Sequence, residues 1–234
     1  MDISGKKALV FGGTSGIGLS TVEQLVQLGA DVVAIGRDSA KAAALPNQAS
    51  FKQCDVRDID ALSLLFSELA PFDILVSAAT GGSRAIGPFA QMDLEGYRNS
   101  FDKLWGYANV VRHGIEHLSE NGAIVLVSGS PARRCNPGQV ALSSVGGAVE
   151  ALSRAVAKEI APKRINVMSP GLIDTPMVPL EGEERAAHYE RLTSNNLISR
   201  AGTPEECAQG IIFLIQNDFV TGTTLDVDGG ILLS

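Results

Sequence analysis

Short apolar segments alternate with longer amphipathic segments along most of the chain. Five short segments are rich in β-branched and aliphatic residues without regular polar positions, which is typical of strands covered on both faces. They are residues 8–11, 31–35, 74–76, 123–127 and 165–167. Apolar residues recur every three or four positions in 17–28, 58–69, 94–119 and 146–160, which predicts helices. This alternation predicts βαβ units around a parallel sheet.

The organisation of the chain indicates one domain. No repeat, linker or low-complexity stretch divides the 234 residues. Residues 176–203 interrupt the strand–helix alternation with two prolines, a charged patch and a polar stretch. Such a segment forms either a lid over a site or a solvated loop, and we interpret it as a substrate lid.

Composition narrows the class of protein. The net charge of −7 argues against a nucleic-acid surface, which needs clustered Lys and Arg. Cys54, Cys135 and Cys207 are far apart and lack zinc-site spacing, which favours a reducing cytoplasm. The first residues lack the apolar region of a signal peptide, and no apolar run approaches membrane-helix length, so we expect no membrane association.

A glycine-rich turn follows the first predicted strand. It reads Gly12-Gly13-Thr14-Ser15-Gly16-Ile17-Gly18 and leads directly into a predicted helix. Glycines allow a tight turn and let backbone N–H groups approach a pyrophosphate at the helix N-terminus. The spacing is G-x-x-x-G-x-G rather than G-x-G-x-x-G, so the turn alone is also compatible with a simple tight connection.

Motifs in the right order along nearly the full length make the chain resemble the short-chain dehydrogenase/reductase family. The glycine turn is similar to T-G-x-x-x-G-I-G, with Phe11 in place of the Thr, and residues 73–80 resemble D-I-L-V-N-N-A-G, with Ser77, Ala78 and Thr80 as departures. Residues 170–176 match P-G-x-x-x-T-P, and 221–230 match T-G-x-x-x-x-V-D-G-G. The resemblance implies a single-domain Rossmann fold of the α/β class: a doubly wound parallel sheet of about seven strands with helices on both faces.

The same resemblance implies a dinucleotide site. Asp55 and Val56 correspond to the family's adenine pocket, and Ile173 and Thr175 to the residues that hold the nicotinamide carboxamide. The implied cofactor-binding residues are Gly12, Thr14, Ser15, Gly16, Ile17, Gly18, Arg37, Asp38, Asp55, Val56, Ser77, Ala78, Ala79, Pro170, Gly171, Ile173 and Thr175.

The end of the second strand bears on the choice of cofactor. An acidic residue there accepts from a ribose 2′-OH, whereas an Arg accommodates a 2′-phosphate. Gly36 stands at that position and Arg37 follows it. A guanidinium pairs well with phosphate, which favours NADP(H), although Asp38 would repel a phosphate and NAD(H) stays an alternative.

The catalytic positions depart from the family pattern. The usual Tyr works as an acid because a Lys four residues later lowers its pKa, with a Ser and an Asn nearby. Residues 146–154 resemble K-A-A-L-E-A-L-T-R, which puts Gly146 at the Lys position and Leu142 at the Tyr position. The Ser position falls on Gly129 and the Asn position on Lys103. Loss of a general acid commonly removes a factor of about a hundred to ten thousand in rate.

Several residues are candidates for the missing chemistry. Lys103 brings a cation to the Asn position, and Ser128 and Ser130 flank the Ser position, so these three are the predicted catalytic residues. Each also has a non-catalytic interpretation: Lys103 as a lysine that faces solvent, and Ser128 and Ser130 as ordinary turn residues. Less favoured candidates are His188 and Tyr189 in the lid and Arg133, Arg134 and Cys135 near the same mouth. His113 and His117 share a helix face but lack further ligands, so no metal is predicted.

Two functions remain open from sequence. The first is an oxidoreductase that transfers hydride between NADP(H) and a small carbonyl or alcohol substrate through a rebuilt site. The second is a catalytically silent nucleotide sensor or partner subunit, favoured by the simultaneous loss of all four usual residue types. The family resemblance also implies a homodimer or homotetramer formed through the helices near 94–119 and 138–161.

Overall fold

A computed structural model, which describes residues 1–80 and 83–234, places all predicted strands in one sheet. The strands are β1 (Lys7–Phe11), β2 (Asp31–Gly36), β3 (Ser50–Gln53), β4 (Phe72–Ser77), β5 (Leu118–Val127), β6 (Arg164–Pro170) and β7 (Thr224–Val227). The sheet order is β3-β2-β1-β4-β5-β6-β7, and neighbouring strands are parallel. The doubly wound parallel fold expected from the sequence is confirmed.

Helices cover both faces of the sheet. They are α1 (Gly16–Gln27), α2 (Ile59–Leu69), α3 (Leu94–Ser100), α4 (Asp102–Gly114), α5 (Pro131–Arg134), α6 (Val140–Ile160), α7 (Gly182–Thr193) and α8 (Pro204–Gln216). Alternate residues of β1 point to opposite faces: Leu9 and Phe11 pack with α2, α4 and α6, whereas Ala8 and Val10 pack with α1 and α8. Both cores are aliphatic, which explains why the strands lack alternating polar positions.

The strand order reverses between β1 and β4. β1 pairs with β2 on one side and with β4 on the other, and the chain winds away from this point in both directions. In open parallel sheets, the carboxyl ends of the strands leave a crevice at such a reversal, and ligands bind there. The fold therefore directs attention to the loops after β1 and β4.

The prediction of one continuous helix over 94–119 is wrong. The segment forms α3 and α4, separated at Phe101, and its last two residues already belong to β5. The Ser100 hydroxyl donates to the Gly96 carbonyl, 2.9 Å away, and such back-bonding commonly bends a helix. The apolar period continues through the bend, so the sequence pattern hides it.

Residues 176–203 contain α7 rather than an irregular loop. The Arg185 guanidinium, on α7, donates to the carbonyl oxygens of Thr175 at 2.8 Å and Val178 at 2.6 Å and pairs with Asp174. Tyr189 and Thr193, both on α7, have buried side chains. These contacts attach the segment to the loop after β6; its role as a substrate lid stays a prediction.

Helix α6 is the one segment of the described chain that is long and apolar enough to cross a membrane, judged by length and composition. Val145 and Val149 of this helix are buried within the fold, and the Glu150 carboxylate on it is 3.2 Å from the Arg133 guanidinium. These contacts attach one face of α6 to the rest of the fold.

A buried arginine connects β6 to the end of α8. The Arg164 guanidinium donates to the carbonyl oxygens of Leu214 at 2.8 Å, Ile215 at 2.6 Å and Val220 at 3.2 Å. Two of these carbonyls lie in the last turn of α8 and have no partner along the helix. Arg164 thus satisfies polar groups that burial would otherwise leave without hydrogen bonds.

Replacing Arg164 with Met should lower the free energy of unfolding by about 2–4 kcal/mol, because several buried carbonyls lose their donor together. Chemical denaturation measures the change. Arg112→Met is the matched control, since that arginine side chain is 72% exposed and its one salt bridge within the described chain is with Glu116. Its cost should stay below about 0.5 kcal/mol. Equal effects of the two substitutions would contradict the anchoring role of Arg164.

Candidate active site

A cleft of about 560 Å³ lies at the carboxyl ends of the strands, across the reversal between β1 and β4. Its lining residues are Gly12, Thr14, Ser15, Gly16, Ile17, Gly18, Ile35, Gly36, Arg37, Asp38, Lys41, Cys54, Asp55, Val56, Ala78, Ala79, Thr80, Arg84, Lys103, Tyr107, Val127, Ser128, Pro170, Thr175, Pro176 and Met177. Most of the predicted cofactor-binding residues are therefore brought together on one continuous surface.

The glycine-rich turn forms one wall of the cleft, and its backbone approaches its neighbours closely. Gly12 has φ +76°, and a Cβ added there would lie 2.7 Å from the Ala79 nitrogen. A Cβ on Gly18 would lie 2.0 Å from the Gly12 carbonyl oxygen. Helix α1 begins at Gly16, and among the described residues no side chain caps it at Ser15. The free N–H groups of its first turn fit a dinucleotide pyrophosphate.

Two cations stand at one end of the cleft. Arg37 was predicted there, and Lys41 was not, because its position on the short turn after β2 follows from the folded geometry. Asp38 accepts a hydrogen bond from the Ala40 backbone N–H at 3.0 Å, so its carboxylate caps that turn. Lys41 adds a second positive charge to the end of the cleft that contains Arg37.

Asp55 lies beside this end of the cleft and stays ionised. Partial burial alone would raise its pKa, but hydrogen bonds from the Arg57 backbone and guanidinium prevail and lower it. Arg57 also pairs with Asp102 at the start of α4, 2.8 Å away. The predicted adenine-pocket carboxylate is thus held in place by a network that reaches the helix carrying Lys103.

Lys103 lies at the opposite end, on α4, with its ammonium turned into the cleft. Its Nζ donates to the Ser128 carbonyl oxygen at 3.1 Å and lies 5.5 Å from the centroid of the Tyr107 ring. Within residues 1–80 and 83–234, no carboxylate forms a salt bridge with it. Burial, aided by the nearby Arg84 guanidinium, lowers the pKa of Lys103 to about 7. The solvent-facing alternative for this lysine is wrong.

The hydroxyl groups of all three tyrosines form hydrogen bonds within the protein. Tyr107 is buried, its hydroxyl donates to the Val127 carbonyl oxygen at 2.9 Å, and burial raises its pKa. The Tyr97 hydroxyl donates to the Ser144 Oγ at 3.1 Å. The hydroxyl of Tyr189 lies 3.4 Å from the Ile173 carbonyl oxygen, and this residue of α7 is buried. Neither Tyr97 nor Tyr189 lines the cleft among the described residues.

The two predicted catalytic serines differ in position. Ser128 lines the cleft, and its hydroxyl donates to the Gly146 carbonyl oxygen at 3.2 Å. Ser130 is buried one turn further on, its N–H donates to the Pro170 carbonyl oxygen, and it is not part of the described cleft wall. Only Ser128 is placed to contact a ligand directly.

Gly146, at the position of the usual lysine, is closely packed. A Cβ added there would lie 2.8 Å from the Ala132 Cβ and 3.2 Å from the Ser128 Oγ. Ala132 belongs to α5, which packs on α6 at this point. The space that a longer side chain would need is filled by the fold itself.

The remaining sequence candidates lie outside the described wall of the cleft. Arg133 pairs with Glu150 and Asp226, so its charge is already compensated. Arg134, Cys135 and His188 are not among the lining residues. His117 stacks on Phe66, and the described chain holds no group of three or more metal-ligating side chains.

Three predicted cofactor residues also lie behind the wall rather than in it. Ser77 is buried in β4, and Gly171 packs against the Asp228 backbone, which a Cβ would approach to 2.6 Å. Ile173 forms a bridge with Gly202. In contrast, Arg84 and Met177 line the cleft without having been predicted, and Arg84 donates to the Met177 sulfur at 3.5 Å. No sequence pattern singles out an arginine in the loop after β4.

Comparison with known proteins agrees with the geometry. The family model described as enoyl-(acyl carrier protein) reductase matches residues 12–232. An uncharacterized oxidoreductase of Schizosaccharomyces pombe is 30% identical over 242 residues, which cover 99% of this chain and 93% of that protein. L-xylulose reductase of Mesocricetus auratus is 28% identical, with coverage of 100% and 99%.

Solved structures give the same result. A short-chain dehydrogenase/reductase family protein superposes with a TM-score of 0.87 at 32% identity and covers 100% of both chains. A small-chain dehydrogenase in complex with NADPH superposes with a TM-score of 0.83 at 29% identity, covering 99% of this chain and 100% of that chain. Because the family model and these relatives span almost the whole chain, the protein belongs to the short-chain dehydrogenase/reductase family.

Proposed function

We propose that the protein is an NADP(H)-dependent oxidoreductase that interconverts a small carbonyl compound and its alcohol, with Lys103 as the proton donor. The observation that carries the proposal is the Lys103 ammonium, which faces the cleft 3.1 Å from the Ser128 carbonyl oxygen with a pKa near 7. A group of that pKa exchanges protons readily at neutral pH.

The dinucleotide would lie along the cleft, with its pyrophosphate at the turn from Gly12 to Gly18. Arg37 and Lys41 would bind the 2′-phosphate, and Thr175 would contact the nicotinamide end. When bound, the nicotinamide supplies or accepts the hydride. The NADPH bound to the related small-chain dehydrogenase supports the choice of cofactor class.

The residues of this chain supply the proton and its position. The Ser128 carbonyl oxygen accepts one N–H of Lys103, and the other N–H groups would serve a ligand in the cleft that this residue lines. In reduction, the ammonium donates a proton to the carbonyl oxygen as the alcohol forms; in oxidation, the neutral amine accepts it. Lys103 thus replaces a tyrosine–lysine pair, which needs two residues to reach a similar pKa. Ser128 is the predicted second contact to the substrate oxygen, and Ser130 supports the loop behind it.

A silent nucleotide-binding protein is the second candidate. The tight packing at Gly146 favours it, since the fold has no space for the usual lysine. This candidate gives no reason for a lysine of pKa near 7 in the cleft. The two functions differ in whether purified protein oxidises NADPH with a carbonyl substrate.

Lys103→Met should reduce kcat/KM for carbonyl reduction about a hundredfold or more, because methionine fills the same volume without a proton. The dissociation constant for NADPH should change less than threefold. The melting temperature should stay level or rise, because an uncompensated charge leaves the cleft. Steady-state kinetics, fluorescence titration and calorimetry measure the three quantities. Lys158→Met, on the exposed side of α6, is the control. Undiminished turnover in Lys103→Met would refute the assigned role.

The pH dependence should carry the signature of a low-pKa lysine. Reduction needs the protonated amine, so kcat/KM should be constant below about pH 7 and fall tenfold per unit above it. Oxidation of the alcohol needs the neutral amine, so its rate should rise through the same range. Lys103→Arg stays protonated and should lose the inflection near pH 7. An inflection that persists in this variant would assign the titration to another group.

Cofactor preference should depend on Arg37 and Lys41. Each substitution with Ala should weaken NADPH binding about ten- to a hundredfold, the worth of a charge-assisted contact, and leave NADH binding within twofold. Titration of nicotinamide fluorescence measures both constants. Equal losses for NADPH and NADH would show that these residues do not distinguish the 2′-phosphate.

We also propose a cytoplasmic homodimer or homotetramer assembled through α4 and α6. Trp105 on α4 leaves 65% of its surface exposed, and Ala151 and Ala155 are exposed on α6. Light scattering should give two or four times the 24.5 kDa of one chain. Ala151→Glu should dissociate the assembly, because a charge would be buried at the interface. A 24.5 kDa species for the unmodified protein would contradict the proposal.

A further inference from the structure

Two cations face the same end of the cleft without an acidic partner. Lys103 and Arg84 both line it, and neither forms a salt bridge in the described part of the chain. The two residues outside that part are glycines, which carry no charged side chain. The charges are close enough for Arg84 to lower the pKa of Lys103. This end of the cleft therefore carries positive charge that no carboxylate of the described chain neutralises.

Arg84 differs from the arginines that stabilise the fold. Arg57, Arg133, Arg164, Arg185 and Arg200 each pair with a carboxylate. The side-chain contact described for the Arg84 guanidinium is the Met177 sulfur at 3.5 Å, a weak acceptor. A guanidinium has five N–H donors in a planar fork that fits a carboxylate or phosphate. Among the described residues, no other acceptor uses the remaining N–H groups of Arg84, which lines the cleft.

The two cations of this end of the cleft also repel each other. Partial desolvation lowers the pKa of Arg84 although its side chain is exposed at the mouth of the cleft. Like charges repel more strongly in a partly desolvated cleft than in bulk water. An anion bound between the two groups would remove this repulsion and supply the acceptor that Arg84 lacks.

Two anions could reach Arg84. One is a phosphate of the dinucleotide, because Thr175 and Pro176 border Gly16 of the pyrophosphate turn and precede Met177. The other is an anionic group of the substrate. Arg84 lines the same cleft as Lys103. The carbonyl to be protonated would lie at that lysine, which favours the substrate as the source of the anion.

We propose that the substrate is a carbonyl compound bearing a carboxylate, and that Arg84 binds this carboxylate. The inference rests on the proposed function, in which the carbonyl oxygen faces Lys103. The reaction is an oxo acid plus NADPH and one proton giving a hydroxy acid plus NADP⁺. The carbonyl carbon gains the hydride, its oxygen gains the Lys103 proton, and the carboxylate is unchanged. Arg84 is a substrate-specificity residue, and the Met177 side chain flanks it.

Binding tests the carboxylate site without turnover. The protein saturated with NADP⁺ would be titrated by calorimetry with oxalate, succinate and benzoate, and with oxamide, succinamide and benzamide as neutral counterparts. At least one carboxylate should bind tenfold or more tightly than its amide. Arg84→Gln should reduce that preference at least tenfold, and Arg84→Lys should retain part of it. Arg98→Gln removes the same charge from the exposed surface of α3 and should change nothing.

The same variants separate the two sources of anion. NADPH affinity should stay within threefold in Arg84→Gln if Arg84 serves the substrate. A tenfold or greater loss of NADPH affinity in this variant would assign Arg84 to a cofactor phosphate and overturn the proposal. A carboxylate preference that is absent in the unmodified protein, or that survives in Arg84→Gln, would overturn it as well.

Turnover distinguishes this inference from the proposed function. The three isomers of carboxybenzaldehyde and their methyl esters would be compared as substrates with NADPH. Higher kcat/KM for an acid than for its ester, lost in Arg84→Gln, is the expected result. Carboxylate binding without any turnover would leave the anion site standing and refute the reductase function. Turnover of acids and esters at equal rates would keep the reductase function and refute the inference.

Discussion

The close backbone approach at the end of β1 is the constraint on which the cleft depends. Gly12 lies against Ala79 in the loop after β4, and Gly18 lies against the Gly12 carbonyl, at distances that exclude a side chain on either glycine. These contacts bring the first turn of α1 to the point where the strand order reverses. The free N–H groups of that turn and the ends of two adjacent strands then share one surface. A bulkier residue at either position would separate the helix from the sheet and open the wall of the cleft.

The features predictable from sequence are those encoded by short-range patterns. The strand and helix order, the glycine turn and the parallel sheet follow from local periodicity and from residues close together along the chain. The bend at Phe101 could not be predicted, because the apolar period continues through it. Lys41 and Arg84 could not be predicted either, since each reaches the cleft through a loop whose path depends on tertiary packing. Lys103 could be singled out because the family resemblance places it at the position of the usual Asn.

The packing at Gly146 excludes the usual lysine, and Lys103 on α4 supplies a cation to the cleft in its place. Helix α5 fills the space beside Gly146, which closes the site that a lysine on α6 would need. Tyr107 lies one turn after Lys103 on α4, and its buried ring lies under the Lys103 ammonium. Its hydroxyl donates a hydrogen bond to the Val127 carbonyl oxygen, so Tyr107 forms part of the floor of the cleft. Among the described residues at this end of the cleft, Lys103 has a pKa near neutrality. Desolvation lowers the pKa of a single lysine toward neutrality, as a neighbouring cation does for the pKa of a tyrosine.

In the proposed site, the protonation of Lys103 would depend on whether a carboxylate is bound to Arg84. In the free cleft, repulsion from Arg84 adds to burial in lowering the pKa of Lys103, so part of the population is unprotonated at neutral pH. A carboxylate bound to Arg84 would neutralise the guanidinium and restore the proton to Lys103 when a reducible substrate is present. A neutral carbonyl compound would leave the repulsion in place, so a smaller fraction of Lys103 would be protonated. The same charge pair would thus select the substrate and prepare the acid, which links binding to proton transfer through electrostatics alone.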